Sequence, residues 1–155
     1  MKSLIVYQSV HHHNTDKIAR ARGDVLSAEL KKPYEIKPED TSFFDLVGFG
    51  SGIYFWKHHR TILEFASRLP VGKNIPVFIF STSGVWLRSH KKLRNILVSK
   101  NYMILGEFQC PGYDTWGPFK SIGGLNRGRP NKSDMARARL LANELIEKLN
   151  KYSYA

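Results

Sequence analysis

Four apolar runs typical of buried strands recur along this chain, and helix patterns lie between most of them. The runs cover Ser3–Tyr7, Asp45–Phe49, Ile75–Phe80 and Tyr102–Phe108. A shorter and more polar strand is predicted near Tyr34–Ile36. Continuous apolar strands that alternate with amphipathic helices are typical of a parallel sheet with helices on both faces. The sequence therefore predicts an α/β fold.

The helix patterns have apolar residues spaced for one buried face. They cover Thr15–Leu30, Lys57–Arg68, Arg88–Val98 and Lys132–Lys148. The predicted order is β-α-β-β-α-β-α-β-α, in which the crossover between the second and third strands is reduced to a turn near Ser42–Phe44. In such sheets, ligands bind beyond the carboxyl ends of the strands, where the strand order reverses.

The composition fits an ordinary soluble globular protein, since 42% of the 155 residues are hydrophobic and 24% are charged. We expect a single domain over residues 1–155. No apolar run is long enough for a membrane span, and no signal-peptide pattern follows Met1. The single cysteine, Cys110, cannot form an internal disulfide and is expected to be a buried or loop thiol. A cytoplasmic location is therefore predicted.

The formal net charge of +11 is unevenly distributed, because residues 41–155 carry seventeen basic groups and only seven acidic ones. Such a field attracts anions, acidic proteins, nucleic acid or membrane headgroups without choosing among them. Five of the basic residues fall in the segment Arg88–Lys100, which predicts an amphipathic helix with a basic outer face. We favour a solvated surface there over nucleic-acid docking, because no nucleic-acid-binding signature accompanies it. No membrane partner is expected.

The loop after the first strand contains the side chains of a phosphate cradle. Hydroxyls of Ser9 and Thr15 and the amide of Asn14 lie where a helix begins, and a helix N-terminus attracts anions through its free N–H groups and its dipole. The loop lacks the glycine patterns of nucleoside triphosphatases and dinucleotide-binding proteins. Asn14 or Thr15 as an ordinary helix cap is the alternative that this segment leaves open.

Three later strands are followed by loops that combine glycine, hydroxyls and large aromatic residues. They are Gly50–Trp56, Ser81–Trp86 and Cys110–Pro118. Glycine lets the backbone approach a ligand closely, and Tyr and Trp offer flat faces with a polar tip. Together with the first loop, they suit a planar aromatic ligand that carries a phosphate.

The whole chain resembles a flavodoxin-like protein that binds flavin mononucleotide (FMN). The motifs that carry the resemblance are Ser9-x-His11-His12-x-Asn14-Thr15, Gly50-Ser51-Gly52-Ile53-Tyr54-Phe55, Pro111-Gly112-Tyr113-Asp114-Thr115-Trp116-Gly117 and Gly123-Gly124-x-x-x-Gly128-Arg129-Pro130 leading to Asp134. The resemblance implies a flavodoxin-like three-layer α/β/α sandwich with a five-stranded parallel sheet in the order 2-1-3-4-5.

The resemblance also implies cofactor-binding residues, and it implies no catalytic residue. For the phosphate, these are Ser9, His11, Asn14 and Thr15, with the backbone amides of His12 and His13. For the isoalloxazine ring and ribityl chain, they are Gly52, Ile53, Tyr54, Phe55, Ser81, Thr82, Ser83, Gly84, Gly112, Tyr113 and Trp116. His13 stands where many flavodoxins have glycine, so a left-handed backbone is expected at a residue type that adopts it infrequently.

The implied function is electron transfer through a bound flavin to a redox partner protein, and the basic surface leaves an acidic partner open. Two alternatives remain. One is an NAD(P)H-dependent FMN reductase of the same fold, acting on quinones or another small-molecule acceptor. The other is a cofactor-free binding module whose basic face docks on an acidic protein or nucleic acid.

Several further residues have competing interpretations. The run His11–His13 is not expected to bind a metal, because adjacent loop residues rarely point at one ion. His58 and His59 are interpreted as part of a solvated helix face, with contact to a second substrate as the alternative. Trp56, Trp86 and Trp116 are predicted near the ligand. The long segment 110–131 is interpreted as a folded cover over the ring.

Overall fold

The computed structural model describes residues 1–85 and 90–153. Its strands are β1 (Ser3–Gln8), β2 (Glu29–Lys31), β3 (Leu46–Tyr54), β4 (Lys57–His58), β5 (Ile75–Ser83) and β6 (Tyr102–Pro111). The order across the sheet is β2-β1-β3-β5-β6, and all these neighbours pair in parallel. The two-residue β4 adds an antiparallel edge to the end of β3. Apart from this addition, the predicted parallel order is confirmed.

Within the described residues, four α-helices and two short 3₁₀ turns lie between or after the strands. The helices are α1 (Asn14–Leu26), α2 (Arg60–Ser67), α3 (Lys91–Ser99) and α4 (Lys132–Ser153). The 3₁₀ turn Pro38–Phe43 replaces the crossover helix before β3, as the sequence predicted, and a second turn covers Gly117–Ile122. No helix within residues 1–85 and 90–153 is long and apolar enough to cross a membrane.

Alternate residues of the strands face two separate hydrophobic cores. Ile5, Phe78 and Phe80 belong to the core that also contains residues of α1 and α4. Leu4 and Ile79 belong to the opposite core, which contains residues of α2 and α3. Because side chains alternate across a strand, β1, β3, β5 and β6 each contribute to both cores, which gives the three-layer arrangement of helices, sheet and helices.

Two glycines of β3 make room for phenylalanine rings of β5. Gly48 pairs with Phe78 and Gly50 pairs with Phe80 in the parallel register. A Cβ atom at either glycine would overlap the opposite ring. The guanidinium of Arg22 lies over Phe78, 4.5 Å from the ring centroid, and the side chain is only 1% exposed.

Two predictions around the first helix were wrong. The helix ends at Leu26 rather than Leu30, because Ser27 has a left-handed backbone (φ 48°). The chain then turns into β2 at once, and the strand predicted at Tyr34–Ile36 does not form. An exposed edge strand of three residues is too short to give a clear alternation of apolar and polar residues.

The second helix begins later than predicted, because Lys57 and His58 form β4. His59 is the N-cap of α2, and its side chain accepts a hydrogen bond from the backbone N–H of Thr61. The third helix is observed from Lys91 to Ser99, and the predicted residues Arg88 and Ser89 lie outside the described residues. The strands β3, β5 and β6 also run further than predicted, so parts of the predicted loops belong to the sheet.

Candidate functional site

A cavity of about 540 Å³ opens where β1, β3, β5 and β6 end. This is the carboxyl edge of the sheet, next to the point where the strand order reverses between β1 and β3. The cavity is lined by Val10, His11, Asn14, Thr15, Gly52, Ile53, Tyr54, Phe55, Trp56, Thr82, Ser83, Gly84, Val85, Tyr113, Asp114, Trp116 and Phe119.

One end of the cavity is the N-terminus of α1. His12 and His13 both have left-handed backbones (φ 52° and 54°), so His13 adopts the conformation expected for it. His13 is the N-cap but makes no side-chain capping bond, and Ser9 Oγ accepts a hydrogen bond from Asp16 N–H at 3.3 Å. Backbone N–H groups and the positive end of the helix dipole therefore lie at this end.

The side chains of Asn14 and Thr15 connect α1 to the loop after β6 and to β5 instead of capping the helix. Asn14 Nδ2 donates to the carbonyl of Tyr113 (2.8 Å), and Thr15 Oγ1 bonds to Thr82 Oγ1 (2.9 Å). Asn14 Oδ1 is buried and has no hydrogen-bond partner among the described residues. The helix-cap alternative for these two side chains is therefore wrong, and one buried acceptor remains available beside the cavity.

The other end of the cavity is aromatic and includes a strained turn. Phe55 and Trp56 are the two central residues of the β3–β4 hairpin, and both have positive φ (48° and 63°). Asn and Gly are the usual residues at such positions, because other side chains strain the left-handed backbone. Phe55 is 74% exposed and meets the Trp116 ring edge-to-face at 6.0 Å. The turn thus holds two large aromatic rings at the mouth of the cavity.

Two glycines let the loops come together under the cavity. A Cβ atom on Gly112 would lie 2.8 Å from Asn14 Nδ2, and one on Gly84 would overlap the Asp114 carboxylate. Asn126 Nδ2 donates to the carbonyl of Gly84 (2.7 Å) and so ties the last loop to the end of β5.

The segment 110–131 folds over the cavity, and its ends are tied to the rest of the structure. Tyr113 N–H donates to the carbonyl of Arg129 (3.0 Å), and Asp114 pairs with Leu125 as an antiparallel bridge. Arg129 makes two hydrogen bonds of 2.6 and 2.7 Å to Asp134, at the start of α4. These bonds lower the pKa of the Asp134 carboxyl.

Ser81 belongs to a buried polar cluster and not to the cavity wall. Its hydroxyl bonds to His90 Nε2 at 2.8 Å, and His90 Nδ1 donates to Glu107 at 2.9 Å. The His90 ring lies 5.1 Å from the ring of His58, which is 2% exposed. Burial lowers the pKa of both imidazoles, that of His90 to about 4. The solvated-face interpretation of His58 is therefore wrong, and nothing in the sequence pattern indicated its pairing with His90.

Most of the predicted site residues line the cavity, but several do not. Ser9, His12, His13, Ser81 and Gly112 lie outside its wall, although His12 bonds to Thr115 Oγ1 at 2.9 Å and its ring lies 4.3 Å from the tilted ring of Tyr113. Four wall residues are absent from the predicted site: Val10, Val85, Asp114 and Phe119. The first three adjoin predicted site residues, and that position was the available signal for them.

The tryptophans, the cysteine and possible metal ligands were also considered in the sequence. Trp56 and Trp116, which were predicted near the ligand, are in the cavity wall, while Trp86 lies outside the described residues. Cys110 is a buried thiol in β6, and burial raises its pKa to about 12. Within residues 1–85 and 90–153, no three His, Cys, Asp or Glu side chains are grouped to hold a metal ion.

The strand order and the position of the cavity define a flavodoxin-like fold, and solved structures agree. A flavodoxin from the domain Archaea superposes with a TM-score of 0.68 at 14% identity, covering 97% of this chain and 99% of that one. A Streptococcus pneumoniae flavodoxin gives 0.73 at 15% identity, covering 96% and 99%. Rubredoxin oxygen:oxidoreductase from Desulfovibrio gigas gives 0.73 at 16% identity, covering 99% of this chain and 37% of that one.

In sequence, the chain is 46% identical to the uncharacterized protein MJ0298 of Methanocaldococcus jannaschii over 150 residues, which cover 95% of this chain and 99% of that protein. The chain belongs to the same family as this archaeal protein. No family model matches it.

Proposed function

We propose that this protein binds FMN in the cavity at the carboxyl edge of the sheet and transfers electrons through it. The observation that carries the proposal is the difference between the two ends of that cavity. The N-terminus of α1 lies at one end, and the aromatic residues Tyr54, Phe55 and Trp116 lie at the other. A ligand with a phosphate on one side and a flat ring on the other matches this arrangement.

The residues present fit such a cofactor. The left-handed His12–His13 backbone and the first turn of α1 provide N–H groups for the phosphate, and the unpartnered Asn14 Oδ1 would accept a hydrogen bond from a ribityl hydroxyl. Gly84 keeps its part of the wall free of a side chain, where a Cβ atom would crowd Asp114, and Gly112 lets the last loop approach Asn14 closely. A cavity of about 540 Å³ lies within the usual range for small-molecule sites.

Bound FMN would supply reversible redox chemistry, and the chain would supply binding and orientation. Tyr54, Phe55 and Trp116 would exclude water from the ring. The Asp114 carboxylate, which accepts a hydrogen bond from Trp116 N–H at 2.8 Å, would hold the last loop in position beside the ring.

The absorption spectrum of the purified protein and a titration of the flavin-free protein with FMN and riboflavin test the proposal. Asn14→Asp should weaken FMN binding about tenfold or more, because it adds a negative charge beside the phosphate, and should change riboflavin binding far less. Asn143→Asp, at an exposed position of α4, is the matched control and should bind both as the parent does.

Two results would contradict the proposal. A colourless protein that also fails to bind added FMN would favour the cofactor-free binding module. Equal loss of FMN and riboflavin binding in Asn14→Asp would contradict the assignment of the α1 end to the phosphate.

We also propose that a redox partner protein docks over the mouth of the cavity. Phe55, Trp56 and Trp116 are 74%, 67% and 66% exposed there, and contiguous exposed apolar surface marks interaction sites. The net charge of +11 favours an acidic partner. Electron transfer to such a partner should slow as salt is raised, and a rate independent of salt would contradict the electrostatic part of the proposal.

An NAD(P)H-dependent reductase is the second candidate function. It is favoured by a second cavity that shares part of its wall with the first. A steady-state assay with NADH or NADPH and a quinone separates this reductase from a carrier that only exchanges electrons with a protein.

A further inference from the structure

A second cavity, of about 790 Å³, shares Val10, His11, Tyr54 and Phe55 with the first one. The rest of its wall comes from β4, α2 and α3. A ligand in this cavity would therefore lie next to whatever fills the first cavity, separated from it by shared side chains.

The wall of the second cavity contains a buried nitrogen that lacks a partner. Ser51 Oγ donates its only hydrogen to the carbonyl of Gly52 at 2.7 Å, because that carbonyl can only accept. Consequently His58 Nδ1, 3.0 Å from the same Oγ, carries a hydrogen and donates it to Ser51. His59 N–H donates to this oxygen as well, at 2.8 Å. The second ring nitrogen, His58 Nε2, is then an unprotonated acceptor.

His58 Nε2 is buried and has no hydrogen-bond partner among the described residues, and His58 is one of the residues that line the second cavity. The neighbouring imidazole cannot serve it, since His90 donates from Nδ1 to Glu107 and accepts at Nε2 from Ser81. A buried polar atom without a partner is costly, so a ligand that donates a hydrogen bond would satisfy His58 Nε2.

The charges around the second cavity favour an anion. Lys57, Arg60 and Lys92 lie in its wall, and Glu64 is its one carboxylate among the described residues. Glu64 is paired with Arg60 at 2.6 Å. Within the described ranges, neither Lys57 nor Lys92 has a carboxylate at ion-pair distance, so two cationic groups remain for a ligand.

We propose that this second cavity binds a small phosphorylated ligand with hydroxyl groups, such as a nucleotide or a sugar phosphate. The phosphate contacts Lys57 and Lys92, and a hydroxyl donates to His58 Nε2. Leu63 and Ile96 provide apolar wall for the base or carbon skeleton. The site does not require FMN binding, but, if the proposed function holds, its occupant lies beside the flavin.

Calorimetric titration with adenosine diphosphate (ADP) and with pyrophosphate tests the proposal, using the protein before and after saturation with FMN. Lys92→Ala should weaken both probes about tenfold, because each offers phosphates. The matched control is Lys91→Ala, since Lys91 is an exposed neighbour on α3 that is not in the wall. It should bind both probes as the parent does.

The His58→Asn variant separates the two contacts. Asparagine can still donate to Ser51 Oγ, but it lacks the acceptor at the Nε2 position. ADP binding should weaken about tenfold, while pyrophosphate binding should change little. In the parent protein, the ¹⁵N resonance of His58 Nε2 should shift on addition of ADP, a readout that does not depend on how the variant folds.

Three outcomes would overturn the proposal. They are no binding of ADP at millimolar concentration, equal affinity in Lys92→Ala and the parent, and release of bound FMN by ADP in proportion to its binding. The last result would assign ADP to the first cavity. FMN binding without ADP binding would refute this inference alone, and ADP binding without FMN binding would refute the proposed function alone.

Discussion

Replacing His90 by glutamine should reduce the loss of stability that the protein suffers between about pH 7 and pH 5. In the folded protein His90 is 8% exposed, and burial, with a smaller contribution from Arg94, lowers its pKa to about 4. In the unfolded chain the pKa is near the ordinary value of 6.5. Between these values the unfolded state binds more protons, so folding becomes weaker as the pH falls.

The size of the effect follows from the two pKa values of His90. Linkage gives a loss of about 2 kcal/mol in the free energy of unfolding between pH 7 and pH 5 from this residue alone. Burial lowers the pKa of His58 as well, so His58 adds its own loss of stability as the pH falls, in the parent and in the variant. Asp16 and Asp134 do not contribute to the change between pH 7 and pH 5. Their pKa values lie below the ordinary 3.8, so the stability that their ionised carboxylates provide is lost only at lower pH.

Urea unfolding of parent and His90→Gln at the two pH values measures the difference, provided that the denaturant slope m stays constant. The parent should lose about 2 kcal/mol more than the variant between pH 7 and pH 5. His13→Gln, which removes an exposed imidazole, is the matched control and should follow the parent. If His90→Gln loses as much stability as the parent does, the argument from the buried neutral imidazole is refuted.

Three further substitutions test other parts of the structure through urea unfolding. Arg22→Met should raise the free energy of unfolding by about 1–3 kcal/mol, because Arg22 Nε and Nη1 are buried without a hydrogen-bond partner among the described residues; a destabilised variant would contradict this. Trp56→Gly should raise the free energy of unfolding by about 1 kcal/mol, because glycine adopts the left-handed backbone without strain. The same substitution should weaken FMN binding. Unchanged FMN affinity would show that Trp56 is not part of the proposed site. Gly48→Ala should lower the free energy of unfolding by about 1–3 kcal/mol, because the added methyl group meets the Phe78 ring. The double variant Gly48→Ala/Phe78→Leu should recover part of this loss.

The sequence predicted the parallel sheet well because the central strands are buried on both faces. Runs such as Ile75–Phe80 are continuously apolar, and only a strand with helices on both sides needs that pattern. The edge strand β2 was misplaced because its three residues are partly exposed and carry no such signal. Its position depends instead on the left-handed Ser27, a conformation that serine adopts infrequently.

The cavity was predicted from the loops after successive strands, since parallel strands bring these loops to one edge. The cluster of His58 and His90 could not be predicted, because the two residues are joined by tertiary packing across β4 and the start of α3. The pattern around Lys57–Arg60 is polar and typical of a helix start, and only the pairing of Lys57 and His58 with the end of β3 overrides it. The second cavity depends on this same hairpin.

The segment 110–131, which folds over the cavity, has its two ends at adjacent points of the molecule. Tyr113 N–H bonds to the carbonyl of Arg129, so the chain leaves and rejoins the sheet–helix framework at almost the same place. Such a segment can be lengthened, shortened or exchanged as a cassette without moving β6 or α4. Descendants of this fold could therefore acquire new ligand preferences by replacing one insert, while the sheet and its helices are inherited unchanged.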